Sequence, residues 1–158
     1  MRPDDHLSTL PRSPLLAVRA SLGEDARMRL LRDVAIRHLV TIGPDTSLRH
    51  AAKAMTDRSV GCAIVVGNEA VAGIITERDI LRAVSKEQDV DQTKVSEVMT
   101  RDVVSGSPGW DLLRAVKTMT DGGFRHLLVL EMDDPVGIVS LRDLMDVMAD
   151  MIQSGESA

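Results

Sequence analysis

Two tetrapeptides of one type, Thr76-Glu77-Arg78-Asp79 and Ser140-Leu141-Arg142-Asp143, follow Gly73-Ile74-Ile75 and Gly137-Ile138-Val139. An apolar run, a hydroxyl residue and then a helical pattern place each tetrapeptide where a strand hands over to a helix. The first turn of a helix presents amide N–H groups without intrahelical partners and a partial positive charge, which suits phosphate. At such a corner Thr76 or Ser140 can donate to a phosphate oxygen, and Arg78 or Arg142 adds a cation. Asp79 or Asp143 can accept both hydroxyls of a ribose, and Gly73 and Gly137 would let a ligand approach the backbone closely. The same Ser/Thr-x-x-Asp spacing is also a capping box, in which hydroxyl and carboxylate serve only the helix's own backbone. At this level both readings stand.

The corners come in a pair because the chain repeats. Residues 34–84, moved forward by 64 positions, lie without a gap on residues 98–148. Ala51-Ala52-Lys53-Ala54-Met55-Thr56-Asp57 falls on Ala115-Val116-Lys117-Thr118-Met119-Thr120-Asp121. A unit of about 64 residues is near the lower limit of independent stability, so the two copies are expected to share an interface and to form paired clefts.

Within each unit the pattern reads β-α-β-β-α. His38–Ile42 predicts a short strand stopped by Gly43-Pro44, after which Thr46 or Ser47 can cap a helix. Leu48, Ala51, Ala52 and Met55, like Leu112, Ala115, Val116 and Met119, have the i, i+3, i+4, i+7 spacing of a buried helical stripe. Cys62–Val66 and Leu127–Leu130 are near-continuous apolar runs, expected of strands covered on both faces. Turns at Gly67-Asn68 and Asp133-Asp134-Pro135 lead into Val71–Ile75 and Val136–Val139, and second helices follow from Glu77 to Val84 and from Leu141 to Ile152. Ser85–Lys94 reads as a polar linker. Ahead of the first unit, residues 1–14 with three prolines read as a mobile tail, and Glu24–Val34 as a helix.

Composition narrows the function. The net charge of −5 argues against a general nucleic-acid binder. A single cysteine, Cys62, excludes an intrachain disulfide, and no apolar run approaches the ~20 residues that span a bilayer, so no membrane partner and a cytoplasmic location are expected. His6, His38, His50 and His126 are scattered, and no Walker loop or GxGxxG exists, so neither metal nor catalytic cofactor is expected. Cys62 reads as a buried core thiol rather than a nucleophile. With no nucleophile–base pair evident, the chain does not read as an enzyme. Aromatic residues are limited to Trp110 and Phe124, so a bound base would be held by aliphatic side chains and backbone.

The two Gly-x-x-Thr/Ser-x-Arg-Asp corners, the linker Val95-Ser96-Glu97-Val98-Met99-Thr100-Arg101-Asp102-Val103-Val104 and the run Gly123-Phe124-Arg125-His126-Leu127-Leu128-Val129 resemble a tandem pair of CBS domains, a stand-alone Bateman module of bacterial type. The resemblance implies an α/β (α+β) fold of two β-α-β-β-α repeats about a pseudo-two-fold axis. It divides the chain into an N-terminal extension (1–29), a first repeat (30–88) and a second (92–152). It implies a regulatory module that binds an adenosine compound (AMP, ADP or ATP, with S-adenosylmethionine and NAD as alternatives) and changes shape on binding. The ligand-independent alternative is a scaffolding module. By position, the resemblance assigns Asp79 and Asp143 to ribose, Thr76 and Ser140 to phosphate, and Thr41 and Ser105 to the adenine edge, with Arg125 and His126 lining a cleft. A homodimer using the Leu141–Ile152 helix, and an unidentified regulated protein, are the implied partners. The first linker, Leu31–Arg37, departs from the second, and Gly61-Cys62 stands where the other unit has Arg125-His126, so the clefts should differ in charge and affinity.

Overall fold

The architecture is a duplicated β-α-β-β-α unit, seen in a computed structural model that describes residues 29–68 and 70–155. The first unit comprises β1 (Thr41–Ile42), α2 (Leu48–Asp57), β2 (Cys62–Gly67), β3 (Ala70–Thr76) and α3 (Glu77–Ser85). The second comprises β4 (Ser105–Gly106), α5 (Leu112–Gly122), β5 (His126–Glu131), β6 (Asp134–Ser140) and α6 (Leu141–Gly155). A short lead-in helix precedes each unit, α1 (Leu31–Val34) and α4 (Val95–Val98). Each unit has a three-stranded sheet, ordered β1-β2-β3 and β4-β5-β6, with the first pair parallel and the second antiparallel.

Local chemistry explains the elements. Ser47 caps α2 by accepting the His50 amide, and Asp111 does the same for α5 with the Arg114 amide. Leu112, Ala115, Val116 and Met119 of α5 form the buried stripe that the spacing predicts, and in α2 Leu48, Ala51 and Met55 do so while Ala52 is only half-buried. The helices end at symmetry-equivalent left-handed positions, Ser59 (φ 54) and Gly123 (φ 69). Both antiparallel ladders slip at equivalent points, between Val65 and Val66 and between Val129 and Leu130. In the second hairpin Met132 and Asp133 both have positive φ, as a two-residue turn of the primed type requires.

Alternate residues of the central strands face opposite ways. Ala63 and Val65 pack under the helices in one core cluster, and Leu127 and Val129 in the other. Ile64 and Leu128, pointing the other way, are equally buried. Both strands are therefore covered on both faces, which is why their sequences do not alternate.

The lead-in segments are exchanged. Leu31 donates its N–H to the Trp110 carbonyl (2.9 Å) and Arg32 to that of Pro108 (3.1 Å), so α1 docks on the second unit. At the equivalent positions Val95 donates to Thr46 (2.8 Å) and Ser96 to Pro44 (3.0 Å), so α4 docks on the first. Leu31 belongs to the core of the second unit, and Val95 and Met99 to that of the first. Just beyond, Ile36 bridges Ile138 and Thr100 bridges Ile74. Contacts that map onto each other under the 64-residue shift, with the units exchanged, are the signature of a pseudo-two-fold axis.

Three expectations need correction. The turn anticipated at Asp133-Asp134-Pro135 falls at Met132-Asp133, because Asp134 and Pro135 already pair with Glu131 and Leu130 as the start of β6. The helix anticipated over Glu24–Val34 is confined, within the described residues, to α1: Arg29 and Leu30 are not helical, because Leu30 bridges Asp111. Residues 24–28 and the anticipated tail, 1–14, lie outside the described residues. The strand anticipated over His38–Ile42 keeps only Thr41 and Ile42, because His38 and Leu39 turn aside to line a cleft.

Candidate functional site

The corners fold as strand-to-helix junctions with equivalent bonds. Asp143 Oδ2 accepts the Ser140 N–H (3.2 Å) and hydroxyl (2.6 Å), and the Asp143 amide donates to Ser140 Oγ (3.1 Å). Asp79 Oδ2 accepts the Thr76 N–H (2.9 Å) and hydroxyl (2.7 Å), with a longer return bond of 3.4 Å. Both are complete capping boxes. They do not exhaust the carboxylates. Asp79 Oδ1 lies 3.6 Å from Arg82, and Asp143 Oδ1 has no partner among the described residues. One oxygen of each aspartate thus holds the helix, and the other remains able to accept.

The helix N-termini are more occupied than the sequence suggests. Glu77 donates its amide to the Gly61 carbonyl (3.0 Å) and Leu141 to that of Arg125 (2.8 Å). With the third amide taken by the cap, the Arg78 and Arg142 amides are the first-turn donors without a partner among the described residues.

Each corner opens into a cleft built from both units. The Asp143 cleft, about 730 Å³, joins Ser140, Arg142 and Asp143 to the first unit's lead-in (Ile36, His38, Leu39, Val40) and its turn at Ser59–Cys62. The Asp79 cleft, about 360 Å³, joins Thr76, Arg78 and Asp79 to the second lead-in (Thr100, Asp102, Val103, Val104) and the turn at Gly122–His126. Both volumes lie within the range usual for small-molecule sites, the smaller near its lower end. Lead-in, turn and corner residues of one wall map onto those of the other under the 64-residue shift, while Ile64, Glu77 and Met145 line the Asp143 cleft alone and Arg82 the Asp79 cleft alone. Arg125 and His126 line both clefts.

The surroundings set the protonation of two groups in the Asp143 cleft. Burial, with help from Glu77 and Asp143, pushes the Cys62 thiol up to about 12. Burial and the adjacent Arg125 lower His126 below the ordinary histidine range, so the ring is neutral at pH 7. Because the folded state holds Cys62 protonated where the unfolded chain ionises, stability should fall as pH rises from about 9 toward 12. Urea melts of wild type and Cys62→Ala between pH 8 and 10.5 check this: the alanine variant should lack that part of the alkaline decline.

Of the residues singled out by sequence, Thr76, Arg78 and Asp79 share one cleft and Ser140, Arg142 and Asp143 the other, with Arg125 and His126 on the common wall. Thr41 and Ser105 are not among the lining residues. They sit in β1 and β4 opposite Ile64 and Leu128, and the preceding Val40 and Val104 face the clefts instead. The glycines also need reinterpretation. A Cβ on Gly73 would lie 2.6 Å from the Thr100 carbonyl oxygen, and one on Gly137 would lie 2.7 Å from the Ala35 Cβ. What approaches them closely is the other unit's lead-in, by a backbone oxygen at Gly73 and a side chain at Gly137. Ile36, Glu77, Thr100 and Asp102 escaped the sequence reading, although the repeat shift, which maps Ile36 onto Thr100, would have paired the lead-ins as opposing walls.

Comparison with known proteins agrees with the duplicated fold. The CBS-domain family profile matches residues 31–86 and again residues 95–150. The chain belongs to the CBS-domain family. The CBS domain-containing protein YhcV of Bacillus subtilis is 36% identical over 118 residues, covering 74% of this chain and 84% of YhcV. Among solved structures, the CBS-domain containing protein ATU1752 of Agrobacterium tumefaciens matches with TM-score 0.70 and 33% identity, over 74% of this chain and 91% of its own. The CBS domain protein PAE2072 of Pyrobaculum aerophilum, solved with AMP, matches in fold with TM-score 0.69 and 21% identity, over 77% and 99% of the two chains. Among the described residues of this CBS pair, no helix is long and apolar enough to cross a membrane, and no group of three or more metal-ligating side chains is assembled.

Proposed function

We propose that this CBS pair is a non-enzymatic sensor that binds an adenine nucleotide between its repeats and changes shape or partner affinity as a result. The observation that carries the reading is the construction of the Asp143 cleft. One repeat supplies an aspartate with a spare carboxylate oxygen, a first-turn amide and Arg142, and the other supplies an aliphatic wall of Ile36, Leu39 and Val40. Ribose hydroxyls fit the spare oxygen, phosphate fits the Arg142 amide with the neighbouring cations, and the base fits the aliphatic wall. The AMP held by PAE2072 supports the same ligand class.

Because lead-in, turn and corner come from different repeats, a ligand touching all three favours the arrangement in which they are closed together. A ligand shifts an equilibrium only through such differential contacts. Phosphate number distinguishes AMP, ADP and ATP by charge at the mouth of the cleft. A homodimer and a regulated protein partner belong to the same proposal; Leu144 and Met148 of α6 are taken up by the second unit's core, so self-association would use the apolar residues left partly open beside them, Val147, Met151 and Ile152.

Calorimetric titration with AMP, ADP, ATP, S-adenosylmethionine and NAD tests the reading. Saturable heat with one of them is the expected result. Silence across the panel would favour the ligand-independent scaffold. Asp143→Asn sharpens the test, because the amide oxygen can still accept from the helix turn while the charge and one acceptor are lost. Affinity should fall by roughly tenfold or more, about 1.5–3 kcal/mol, with little change in melting temperature. Unchanged affinity with a lowered melting temperature would leave Asp143 as a cap alone.

A further inference from the structure

Arg125 stands where the 64-residue shift puts Gly61, and it lies on the wall common to both clefts. Arg78 and Arg142, by contrast, each line only their own cleft. A symmetrical pair would carry two cations near its axis, and this chain carries one there. The packing is tight at the equivalent position: a Cβ at position 61 would lie 3.2 Å from His126 Nε2, so a side chain there would have to displace that ring. The ring beside Arg125 is held neutral, so it adds no second charge. Glu77, where the other repeat has Leu141, lies 3.4 Å from the Arg125 guanidinium, and the two are about half exposed. Arg125 thus lines either cleft, and among the described residues its guanidinium is held by a solvated ion pair alone, whose hold is weak.

We propose that Arg125 is a single cation shared between the two clefts, so that an anionic ligand bound in one weakens the binding of a second in the other. The proposal rests on the adenine-nucleotide reading and adds a rule to it. One guanidinium cannot complete two phosphate sites at once, so the first phosphate takes it and the second binds without it. Binding of a neutral nucleoside, which does not call on Arg125, carries no such penalty. The consequence for a sensor is a response spread over a wide range of nucleotide concentration.

The test titrates the full chain with AMP and with adenosine, in the wild type, in the single-cleft variants Asp79→Ala and Asp143→Ala, and in each of these combined with Arg125→Gln. Sharing predicts that the second AMP binds the wild type about tenfold or more weaker than AMP binds the weaker single-cleft variant. That gap should be absent with adenosine and should close when Arg125→Gln is present. If the second AMP step equals the weaker single-cleft variant, the clefts are independent: sharing is wrong and the nucleotide reading stands. If the gap persists in Arg125→Gln, the phosphates repel one another directly, and the shared-cation account is overturned. No heat from either compound removes the nucleotide reading and the sharing together.

Discussion

Leu31→Ala is expected to destabilise the second repeat's core by about 3 kcal/mol, although Leu31 opens the first repeat in the chain. The side chain is fully buried, and it is buried in the second repeat, beside Leu112, Met119, Leu144 and Met148. Removing it deletes the transfer free energy of three carbons and leaves a cavity, a combination that costs roughly 2–5 kcal/mol in cores. For a chain of this size the melting temperature should fall by about 6–12 °C. Trp110 offers an independent reading, since its carbonyl accepts the Leu31 amide and its indole packs at Gly106 beside Leu31. Its emission should shift to the red at temperatures where the wild type is still folded. The twin substitution, Val95→Ala, should cost about 2 kcal/mol through the core of the first repeat. A Leu31→Ala melting temperature within about 2 °C of wild type would mean that the lead-in is not part of that core. The exchange matters for function because the same lead-ins continue into the cleft walls, Ile36–Val40 and Thr100–Val104. A ligand that draws wall and corner together therefore acts on the joint that holds the two repeats to one another.

Gly73→Ala is expected to be nearly as damaging, at about 2–3 kcal/mol. The added methyl would sit 2.6 Å from a backbone oxygen, Thr100 O, and 2.9 Å from Met99 Sδ. The sulfur can swing away. The carbonyl cannot, because the Ile74 amide donates to it (2.9 Å) and the Thr100 amide donates back to Ile74 (2.9 Å), a reciprocal pair that ties lead-in to strand. At Gly137 the obstacle is a side chain, the Ala35 Cβ at 2.7 Å, and that difference supplies a control. Gly137→Ala should destabilise, and adding Ala35→Gly should recover most of the loss, whereas no side-chain change should rescue Gly73→Ala. Urea denaturation of the four proteins measures both effects. Had these glycines served ligand approach, substitution would lower affinity and leave the melting temperature alone; that outcome would overturn the packing account.

What could be read from the chain follows from which interactions are local. The repeat, the helical stripes at Leu48–Met55 and Leu112–Met119, the buried strands and the Ser/Thr-x-x-Asp corners depend on spacing within a few residues, and they stand where the spacing puts them. The corners were legible even in their ambiguity: the capping box forms at both, and one oxygen of each carboxylate is left over. Even so, the residues expected to line the clefts after the first strand, Thr41 and Ser105, fall one position past the lining Val40 and Val104, because a two-residue strand offers too few positions for alternation to show which residue meets the cleft.

Sequence by itself determined the two-fold duplication, the order of elements within each unit and the chemical character of the corners, because each is written in side-chain type and local period. Only the tertiary structure decided that each lead-in completes the other repeat, that Gly73 and Gly137 make way for the opposite lead-in, and that Arg125 and His126 line two clefts. Those facts join residues far apart in the chain, such as Leu31 and Trp110, Thr100 and Ile74, and Gly61 and His126. Leu31 is apolar whichever core it fills. Its partner is selected by the closure of one repeat on the other about their shared axis, and no pattern within either segment carries that information.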